Sequence, residues 1–440
     1  MSAVDDLLRN VLRSGLVSRE ELQTTLRSLA KERRDHAPAT ADHLIEKGKI
    51  TRFQLHKLSR GITIGLVLGP YHLLTPLGRG GSGTVYLAID ARSNQHVALK
   101  ILPPKIARQE ERLLARFQRE MEISQKVKHI NIARTLDVGI RQGIHYIAME
   151  YIPGTTLYRQ VAGKTPLTVA RVAHLISETA AGLGQAHAQG VIHRDMKPSN
   201  IMVTPRDHAK VLDLGLAYTQ GEEVEDIEVV GGRGYIVGSI DYMAPEQTRD
   251  PTTVDARADL YALGCCMYFA LTGRPPFPEG TVYQKVRAHR HEAPIPLRNL
   301  NAEVPDGFAA IVHKLLAKAP DERFASAVEL TAALAPFRTG ETGPFDGPSD
   351  AAYQQAIQFA ITNWTPPEPS KEVADEDAVL FRIDKEERSA VQENLSRSLF
   401  EDVQGVPSHI WLLIFVGVWV GLLLICFVGS CVVSWTKGQG

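Results

Sequence analysis

The chain has 440 residues, with 49 basic and 50 acidic side chains and a formal net charge of −1. This length predicts two or three domains, and the balanced charge excludes binding to nucleic acid through the field of the whole chain. The four cysteines, Cys265, Cys266, Cys426 and Cys431, show neither metal-ligand spacing nor a disulfide framework, which indicates a reducing compartment for the bulk of the chain. Residues 1–10 lack a basic start followed by an apolar run, so we expect no secretory signal.

The first predicted unit is a helical module over residues 1–66. It contains a weak internal repeat, because residues 12–22 match residues 45–55. In both copies a helix ends near a glycine, and Ser18 or Thr51 caps the helix that follows. Two helix pairs of this kind would bury their apolar faces on each other. We interpret the module as structural, and an adaptor role for it stays open.

The pattern becomes β-rich from Tyr71 onward and helical again after Pro153. Strands are predicted over residues 84–89, 96–101 and 147–150. Helices are predicted over residues 110–127, 168–189 and 259–273. The order predicts a small β-rich lobe followed by a larger helical lobe. We expect the compact part to end near Phe337.

A glycine-rich segment opens the β-rich lobe, with Gly78, Gly80 and Gly83 at its first, third and sixth positions. Glycines let backbone amides approach phosphate groups closely. A dinucleotide-binding fold uses the same spacing, but there a helix follows the glycines. Here a strand pattern follows, and it contains Val85. The segment therefore predicts a hairpin that covers phosphates, with Val85 as an apolar contact for a base.

Lys100 ends an apolar strand, where a lysine would ordinarily be solvated. Combined with the glycine hairpin upstream, it becomes a candidate ligand for phosphate. Glu120 lies on the predicted amphipathic helix and is the candidate partner that orients this lysine. Glu122 is the competing carboxylate, but two residues along a helix it faces another direction.

Residues 192–200, Ile-His-Arg-Asp-Met-Lys-Pro-Ser-Asn, carry the strongest signal of the chain. Asp195, Lys197 and Asn200 supply a carboxylate, a cation and an amide, and Asp213 follows in Asp-Leu-Gly. Phosphoryl transfer needs such a set: a carboxylate for the proton of the acceptor, a cation for the phosphate, and oxygen ligands for a metal. The competing interpretation is a solvated polar loop.

These motifs together resemble the signature set of protein kinases. The match covers about residues 71–337 and is to the bacterial, eukaryotic-like (Hanks-type) serine/threonine kinases. Ala244-Pro245-Glu246 is similar to the end of the family's activation segment, and Asp259, Gly264 and Arg323 follow in matching order. In the family, the residues at Glu246 and Arg323 form a structural ion pair. The resemblance implies an α+β bilobal kinase fold with a β-rich N-lobe and a helical C-lobe, preceded by the helical module.

The resemblance also implies ATP as the bound nucleotide. The residues it places around ATP are Gly78, Gly80, Gly83, Val85, Ala98, Lys100, Met149, Glu150, Ile152 and Met202. Ala98 and Met202 would enclose the adenine, and Met149 would be the gatekeeper. Glu150 and Ile152 would offer backbone hydrogen bonds to the base.

The catalytic roles follow from the same resemblance. Asp195 would be the catalytic base, and Lys197 would meet the γ-phosphate, as in the serine/threonine branch of the family. Lys100 would contact the α- and β-phosphates and pair with Glu120. The metal ligands would be Asn200 and Asp213, whose hard oxygen atoms suit Mg²⁺.

The segment between Asp213 and Glu246 is rich in acidic residues and glycine and poor in hydroxyls. Arg194 precedes the catalytic aspartate, and in the family this arginine can hold a phosphate on the activation segment. We therefore expect autophosphorylation, with Thr219 as the favoured acceptor. A constitutively ordered loop is the alternative.

The C-terminal part predicts a linker and a membrane segment. Residues 338–408 are rich in Pro, Gly and acidic residues near their start, with short helices predicted over 350–364 and 385–400. Residues 409–435 form one predicted transmembrane helix, because no charged residue occurs from Ile410 to Val433. Two tryptophans flank this segment, and a short tail, 436–440, follows it.

The sequence thus predicts a single-pass membrane protein whose kinase domain faces the cytoplasm, where ATP is found. Its function would be the transfer of phosphate from ATP to Ser or Thr hydroxyls of proteins in signal transduction, without nucleic acid as a partner. Gly417 and Gly421 form a small-xxx-small pattern that permits a homodimer through the membrane helix. The alternatives are a pseudokinase scaffold and a membrane adaptor. Retention of Lys100, Asp195 and Asp213 favours an active enzyme.

Overall fold

The computed structural model describes residues 3–34, 36–80, 83–102, 111–141, 143–213, 218–219, 240–249, 254–338 and 350–366. The chain divides after Phe381 into two units, and all the described residues lie in the first. The predicted helix over 385–400, the predicted membrane segment 409–435 and the tail lie outside the described residues. Among the helices that are described, none combines the length and the apolar composition needed to cross a bilayer.

The N-terminal residues form two helix pairs. The helices are α1 (Ala3–Ser14), α2 (Arg19–Arg27), α3 (Ala37–Glu46) and α4 (Arg52–Ser59). Ser18 and Thr51 each close a capping box with the residue three positions on, so the predicted caps of the internal repeat are confirmed. Gly15 and Gly48 have positive φ angles of 74° and 64°, which lets the chain turn between the helices of each pair.

The N-lobe is built on an antiparallel sheet. Its described strands are β1 (Val67–Leu68), β2 (Tyr71–Gly80), β3 (Gly83–Asp90), β4 (Gln95–Leu102), β5 (Thr135–Arg141) and β6 (Ile144–Glu150), in the spatial order β1-β2-β3-β4-β6-β5. Helix α5 (Glu111–Lys126) inserts the fully buried Phe117 between Leu102 and Ile147 of the sheet. This contact fixes the helix that carries Glu120.

The C-lobe is mainly helical. Its described helices are α6 (Leu157–Val161), α7 (Val169–Ala188), α8 (Arg257–Thr272), α9 (Val282–His291), α10 (Leu297–Leu300), α11 (Asp306–Leu315) and α12 (Ala327–Leu334). A short strand, β7 (Thr155–Thr156), precedes α6. The strands β8 (Val191–Ile192), β9 (Ile201–Val203), β10 (Ala209–Val211) and β11 (Tyr218–Thr219) lie between α7 and α8. One apolar core joins α7 and α8, and Cys265 and Cys266 are buried in it as free thiols. The bilobal fold implied by the sequence motifs is confirmed.

Alternation along β4 directs its side chains to two different surfaces. Leu99 and Ile101 lie in one apolar core with Leu44 and Phe53 of the N-terminal helices. The intervening Lys100 points to the opposite face. The helical module therefore covers the face of the sheet that is turned away from Lys100.

Polar contacts also join the helical module to the sheet. The Gln54 side-chain amide donates to the Leu73 carbonyl at 2.6 Å, in a buried position. The Thr51 hydroxyl donates to the Leu74 carbonyl at 2.6 Å. Both residues belong to the capping box of α4, so a single local motif ends the loop before the helix and binds the helix to β2.

The packed structure continues past Phe337, so the prediction that the compact part ends there is wrong. Helix α13 (Ala351–Thr362) returns to the N-lobe and places Tyr353 and Ile357 against Leu87. The Tyr353 ring meets the ring of Tyr151 at 5.5 Å between centroids, beside the connection between the lobes. The reason for the difference is that apolar residues of α13 find an apolar surface on β2 and β3, which sequence spacing does not reveal.

The segment around α13 is also fixed at both of its ends. The Asp350 carboxylate pairs with Arg206 of the C-lobe at 2.8 Å. After the helix, the Trp364 ring packs edge-on against Phe53, with centroids 5.4 Å apart. The segment therefore spans both lobes and the helical module.

The packing around Phe53 predicts that the helical module stabilises the N-lobe. We expect Phe53→Ala to lower the free energy of unfolding by about 3–5 kcal/mol, because it opens a cavity among Tyr86, Trp364 and the helical module. Phe359→Ala is the matched control. Its ring is 68% exposed, so a change within about 0.5 kcal/mol is expected. Denaturant unfolding of the two variants measures the difference, and equal effects would contradict the shared core.

Candidate active site

Lys100 binds two carboxylates in the cleft between the lobes. Its ammonium donates to both oxygens of Glu120 at 2.6 Å and to Asp213 Oδ1 at 2.8 Å. Lys100 and Glu120 are nearly fully buried, with side chains 4% and 2% exposed. The competing carboxylate, Glu122, is exposed. The structure thus unites one residue from β4, one from α5 and one from the segment that follows β10.

This group contains one cation for two carboxylates. Burial raises the pKa of Glu120 to about 8, and Asp213 acts in the same direction against the opposing effect of Lys100. Burial acts to lower the pKa of Lys100, but Asp213 and Glu120 raise it above its ordinary value. Burial would raise the pKa of Asp213, yet Lys100 holds it below its usual range. The two carboxylates thus compete for one ammonium, and the raised pKa of Glu120 reflects burial and the cost of holding both charges side by side. A further cation at Asp213 would relieve this repulsion.

The glycine-rich segment forms a hairpin between β2 and β3. Gly80 pairs with Gly83 across the turn, and Gly78 pairs with Val85. Gly83 has a φ of 133°, and a Cβ there would lie 2.3 Å from the Ile101 carbonyl oxygen. Only glycine therefore fits this position, so its lack of a side chain serves the strand crossing as well as any phosphate contact.

The residues expected around the base are distributed over both lobes. Val85 pairs with Lys100 on the neighbouring strand, and Ala98 pairs with Met149. All four thus lie on strands at the centre of the same sheet. Met202 lies on β9 of the C-lobe. The structure brings the β4 residues into register with the glycine hairpin, as a nucleotide site requires.

Glu150 and Ile152 lie where the chain passes between the lobes. The Glu150 N–H donates to the Arg134 carbonyl at 2.9 Å, so the adenine contact expected from this residue rests on its carbonyl. Its side chain accepts from Lys210 Nζ at 2.7 Å. This ion pair connects the end of the N-lobe sheet with β10. Ile152 is buried.

A second group lies on the loop after β8. Lys197 Nζ donates to Asp195 Oδ2 at 2.6 Å. The amide nitrogen of Asn200 donates to the backbone carbonyl of Asp195 at 2.8 Å. Asn200 is therefore oriented by the same residue that is expected to act as base. The predicted carboxylate, cation and amide lie together.

The loop and the Asp213 segment are bound to each other through the backbone. The Leu212 N–H donates to the Asn200 carbonyl at 2.8 Å. His193 Nε2 lies 3.2 Å from the Leu212 carbonyl oxygen. Asp213 itself has a φ of 57°, a conformation that a non-glycine residue adopts only where its surroundings impose it. These contacts place the Asn200 amide and the Asp213 carboxylate on adjacent segments.

These two residues fit a divalent cation of the Mg²⁺ type. Asn200 uses its amide nitrogen in the protein, so its oxygen is the atom that can meet a metal. Asp213 brings a carboxylate whose pKa lies below its usual range, so it offers a negative charge to a cation. Hard oxygen donors and an incomplete protein shell are what Mg²⁺ selects, because it retains water and binds substrate phosphates.

Asp259 is the functional residue whose role sequence reasoning missed. Its carboxylate accepts from the backbone N–H groups of His193 and Arg194, at 2.9 Å and 2.8 Å. His187 Nε2 lies 2.7 Å from the same carboxylate. Arg194 has a φ of 63°, so Asp259 holds a strained turn directly before Asp195. Its place in the family motif order was the available signal, but only the structure assigns the contacts.

Two further contacts fix the end of the activation segment. Arg323 binds Glu246 in a bidentate pair of 2.6 Å and 2.8 Å, which is the ion pair implied by the resemblance. The Gln247 side chain donates to the Arg194 carbonyl at 2.8 Å. This hydrogen bond connects the loop that carries Asp195 to residues 240–249, at the end of the activation segment. Thr219 lies on β11, opposite Val191, and residues 220–239 lie outside the described residues.

A family model for the protein kinase domain matches residues 71–334, which is more than half of the chain. Serine/threonine-protein kinase PknB of Mycolicibacterium smegmatis is 37% identical over 279 residues, which cover 62% of this chain and 43% of that protein. Serine/threonine-protein kinase PknD of Mycobacterium tuberculosis is 39% identical over 272 residues, covering 61% and 40%.

PknB of Mycobacterium tuberculosis is 35% identical over 322 residues, covering 70% of this chain and 50% of that protein. The chain therefore spans half the length, or less, of these curated relatives.

The contacts of Asp259 predict that its charge holds the loop before Asp195. We expect Asp259→Asn to lower the free energy of unfolding by about 1.5–3 kcal/mol, because an amide cannot accept all the donors that the carboxylate satisfies. Asp241→Asn is the matched control: it breaks a pair with Lys285 at a side chain that is 34% exposed, and a change of about 0–1 kcal/mol is expected. Denaturant unfolding compares the two variants. A loss no greater than that of the control would contradict this role of Asp259.

Proposed function

The chain belongs to the protein kinase domain family, and on this premise we propose that it transfers the γ-phosphate of ATP to Ser or Thr hydroxyls of proteins. The observation that carries the proposal is the meeting of two groups in one cleft. Lys100, Glu120 and Asp213 form the first group, and Asp195, Lys197 and Asn200 form the second. A backbone hydrogen bond from Leu212 to Asn200 and a contact of the His193 side chain with Leu212 join the two groups, so their spacing is fixed before a nucleotide binds. The serine/threonine specificity is supported by the names of the relatives.

Each group has a separate task in the proposed reaction. Lys100 neutralises charge on the α- and β-phosphates, and Glu120 keeps its ammonium from turning away. Asp195 accepts the proton that the attacking hydroxyl releases, and the oxygen of that hydroxyl forms the new bond to phosphorus as the bond to ADP breaks. Lys197, already bound to Asp195, offers its positive charge to the phosphoryl group in transit.

Asn200 and Asp213 would hold Mg²⁺. When bound, the ion would supply positive charge that offsets the charge developing on the transferred phosphoryl group. The contribution of the protein is to fix these two ligands. Asn200 is oriented through Asp195, and Asp213 is held in its left-handed backbone conformation next to Lys100.

A pseudokinase scaffold is the second candidate function. Loss of the lysine, the base or the metal aspartate is typical of such proteins, whereas Lys100, Asp195 and Asp213 all stand here. Their mutual contacts, including the closed pair of Lys100 and Glu120, support catalysis over a purely binding role.

Signalling would require a regulated activation segment, and we include autophosphorylation in the proposal. Arg194 lies directly before Asp195, and Gln247 holds its carbonyl. Thr219 on β11 remains the favoured acceptor. A phosphate on this segment would pair with Arg194 and so stabilise the loop that carries the base.

Membrane tethering is part of the proposal and rests on sequence. Residues 409–435 supply a long uncharged apolar segment, and ATP requires the kinase domain to face the cytoplasm. Gly417 and Gly421 would permit two such segments to pair closely, giving a homodimer. An adaptor role of the N-terminal helices is compatible with this arrangement.

The proposed base can be tested by one conservative substitution. We expect Asp195→Asn to lower the phosphoryl-transfer rate by about 10²–10⁴-fold, because the hydroxyl loses its proton acceptor. Radiolabelled ATP, Mg²⁺ and a generic protein acceptor give the rate. Binding of the nucleotide, measured by calorimetry, should change little.

Asp306→Asn is the matched control for Asp195, since it removes a carboxylate from the start of α11 in the C-lobe. Activity close to that of the unmodified protein is expected. Transfer by Asp195→Asn at the unmodified rate would contradict the proposal. Absence of transfer by the unmodified protein, with nucleotide still bound, would favour the pseudokinase.

The membrane proposal predicts a clear difference on truncation. The full-length chain should sediment with membranes, resist extraction by alkali and require detergent for release. A chain ended at residue 408 should stay in the soluble fraction, because it lacks the apolar segment. Retention of the truncated chain in the membrane fraction would contradict anchoring by residues 409–435.

A further inference from the structure

Two histidines and a glutamate converge in the C-lobe, outside the candidate active site. His174 and Glu178 lie four residues apart on one face of α7, and His208 lies between β9 and β10. One ligand atom from each residue lies within 4.8 Å of the other two. His208 Nδ1 is 2.9 Å from Glu178 Oε1, and His174 Nε2 is 3.6 Å from the same oxygen.

We propose that these three residues bind a divalent transition-metal ion, with Zn²⁺ as the best fit. Two imidazoles and one carboxylate are a donor set that suits Zn²⁺, whereas Mg²⁺ prefers oxygen donors alone. Bonds of about 2.0–2.1 Å in a tetrahedral site give ligand-to-ligand distances of about 3.3 Å. The spacings of 2.9 Å and 3.6 Å around Glu178 Oε1 lie on either side of that value.

The backbone around Asp207 supplies a fourth donor. Its carbonyl oxygen lies 3.0 Å from His174 Nε2. This distance is again close to the ligand-to-ligand distance of about 3.3 Å in a tetrahedral zinc site. Asp207 has a φ of 65°, and its carboxylate is bound by Arg171 at 2.8 Å and 3.0 Å. The turn therefore holds this carbonyl toward the two imidazoles.

Further contacts fix the orientation of the ligands. The Ala209 N–H donates to Glu178 Oε2 at 2.6 Å, which directs Oε1 toward the two rings. A hydrogen bond of this kind, from outside the ligand shell, is typical of metal sites that hold a carboxylate in place. His174 and His208 are 6% and 3% exposed, so solvent competes weakly for the ion.

Metal binding would replace the hydrogen bonds that these side chains make in the metal-free protein. The nitrogens that face Glu178 and the Asp207 carbonyl now carry protons, because both partners are acceptors. On metal binding, each neutral imidazole would carry its proton on the other ring nitrogen and offer a lone pair to the ion.

The position of the site predicts a structural role for the ion. It would join α7 to the turn between β9 and β10. The same turn carries Arg206, which binds Asp350 ahead of α13. A metal here would thus stiffen the point at which the C-terminal segment is attached to the C-lobe.

Titration of the full-length, chelator-treated protein with Co²⁺ tests the proposal. Excess Mg²⁺ is present, so that the oxygen site of Asn200 and Asp213 is occupied. We expect one equivalent of Co²⁺ to give the intense visible absorption of a tetrahedral complex, and one equivalent of Zn²⁺ to remove it. His208→Gln and Glu178→Gln should each weaken the affinity by at least about tenfold.

His291→Gln is the matched control, because His291 is exposed at the end of α9. It should leave the affinity unchanged. The proposal would be overturned if Co²⁺ gave no visible bands in the unmodified protein. It would also be overturned if His208→Gln bound Co²⁺ with unchanged affinity and gave the same bands.

X-ray absorption of the zinc-loaded, unmodified protein gives an answer that does not depend on the folding of variants. Two imidazole nitrogens with oxygen ligands around zinc would support the site. A shell without two imidazoles would overturn it. Neither outcome depends on kinase activity, so this proposal and the proposed function can fail separately.

Discussion

The buried ion pair between Lys100 and Glu120 is the contact on which the rest of the site depends. It crosses from the sheet to α5, and Asp213 extends it to the C-lobe at 2.8 Å. Glu120 is buried and Asp213 is partly exposed, and the two carboxylates compete for a single ammonium. In the proposed function, a Mg²⁺–nucleotide complex would bring positive charge to Asp213 and phosphates to Lys100.

The packing behind the sheet keeps this pair in position. Lys100 faces the cleft because Leu99 and Ile101 face the opposite way, into the core shared with the N-terminal helices. Helix α13 completes that side of the N-lobe and reaches Tyr151 between the lobes. The segments before and after the kinase domain therefore pack on the sheet that carries Lys100.

The sequence predicted those features that depend on local chemistry. The helix caps at Ser18 and Thr51, the strands around Lys100 and the bilobal order follow from periodicity, capping residues and motif spacing. The docking of α13 and the contacts of Asp259 did not follow, because they depend on surfaces brought together from distant parts of the chain. The grouping of His174, Glu178 and His208 was missed for the same reason: two of the residues share a helix face, but the third comes from a turn 30 residues beyond Glu178.

A crystal structure with Mn²⁺ and a non-hydrolysable ATP analogue tests the central claim most directly, because anomalous scattering locates the ion without assumptions. The account predicts a peak between the Asn200 amide oxygen and the Asp213 carboxylate, with Lys100 still bound to Glu120 and now close to the phosphates. A nucleotide in the cleft with no ion at these two residues, or Lys100 separated from both Glu120 and the phosphates, would contradict it.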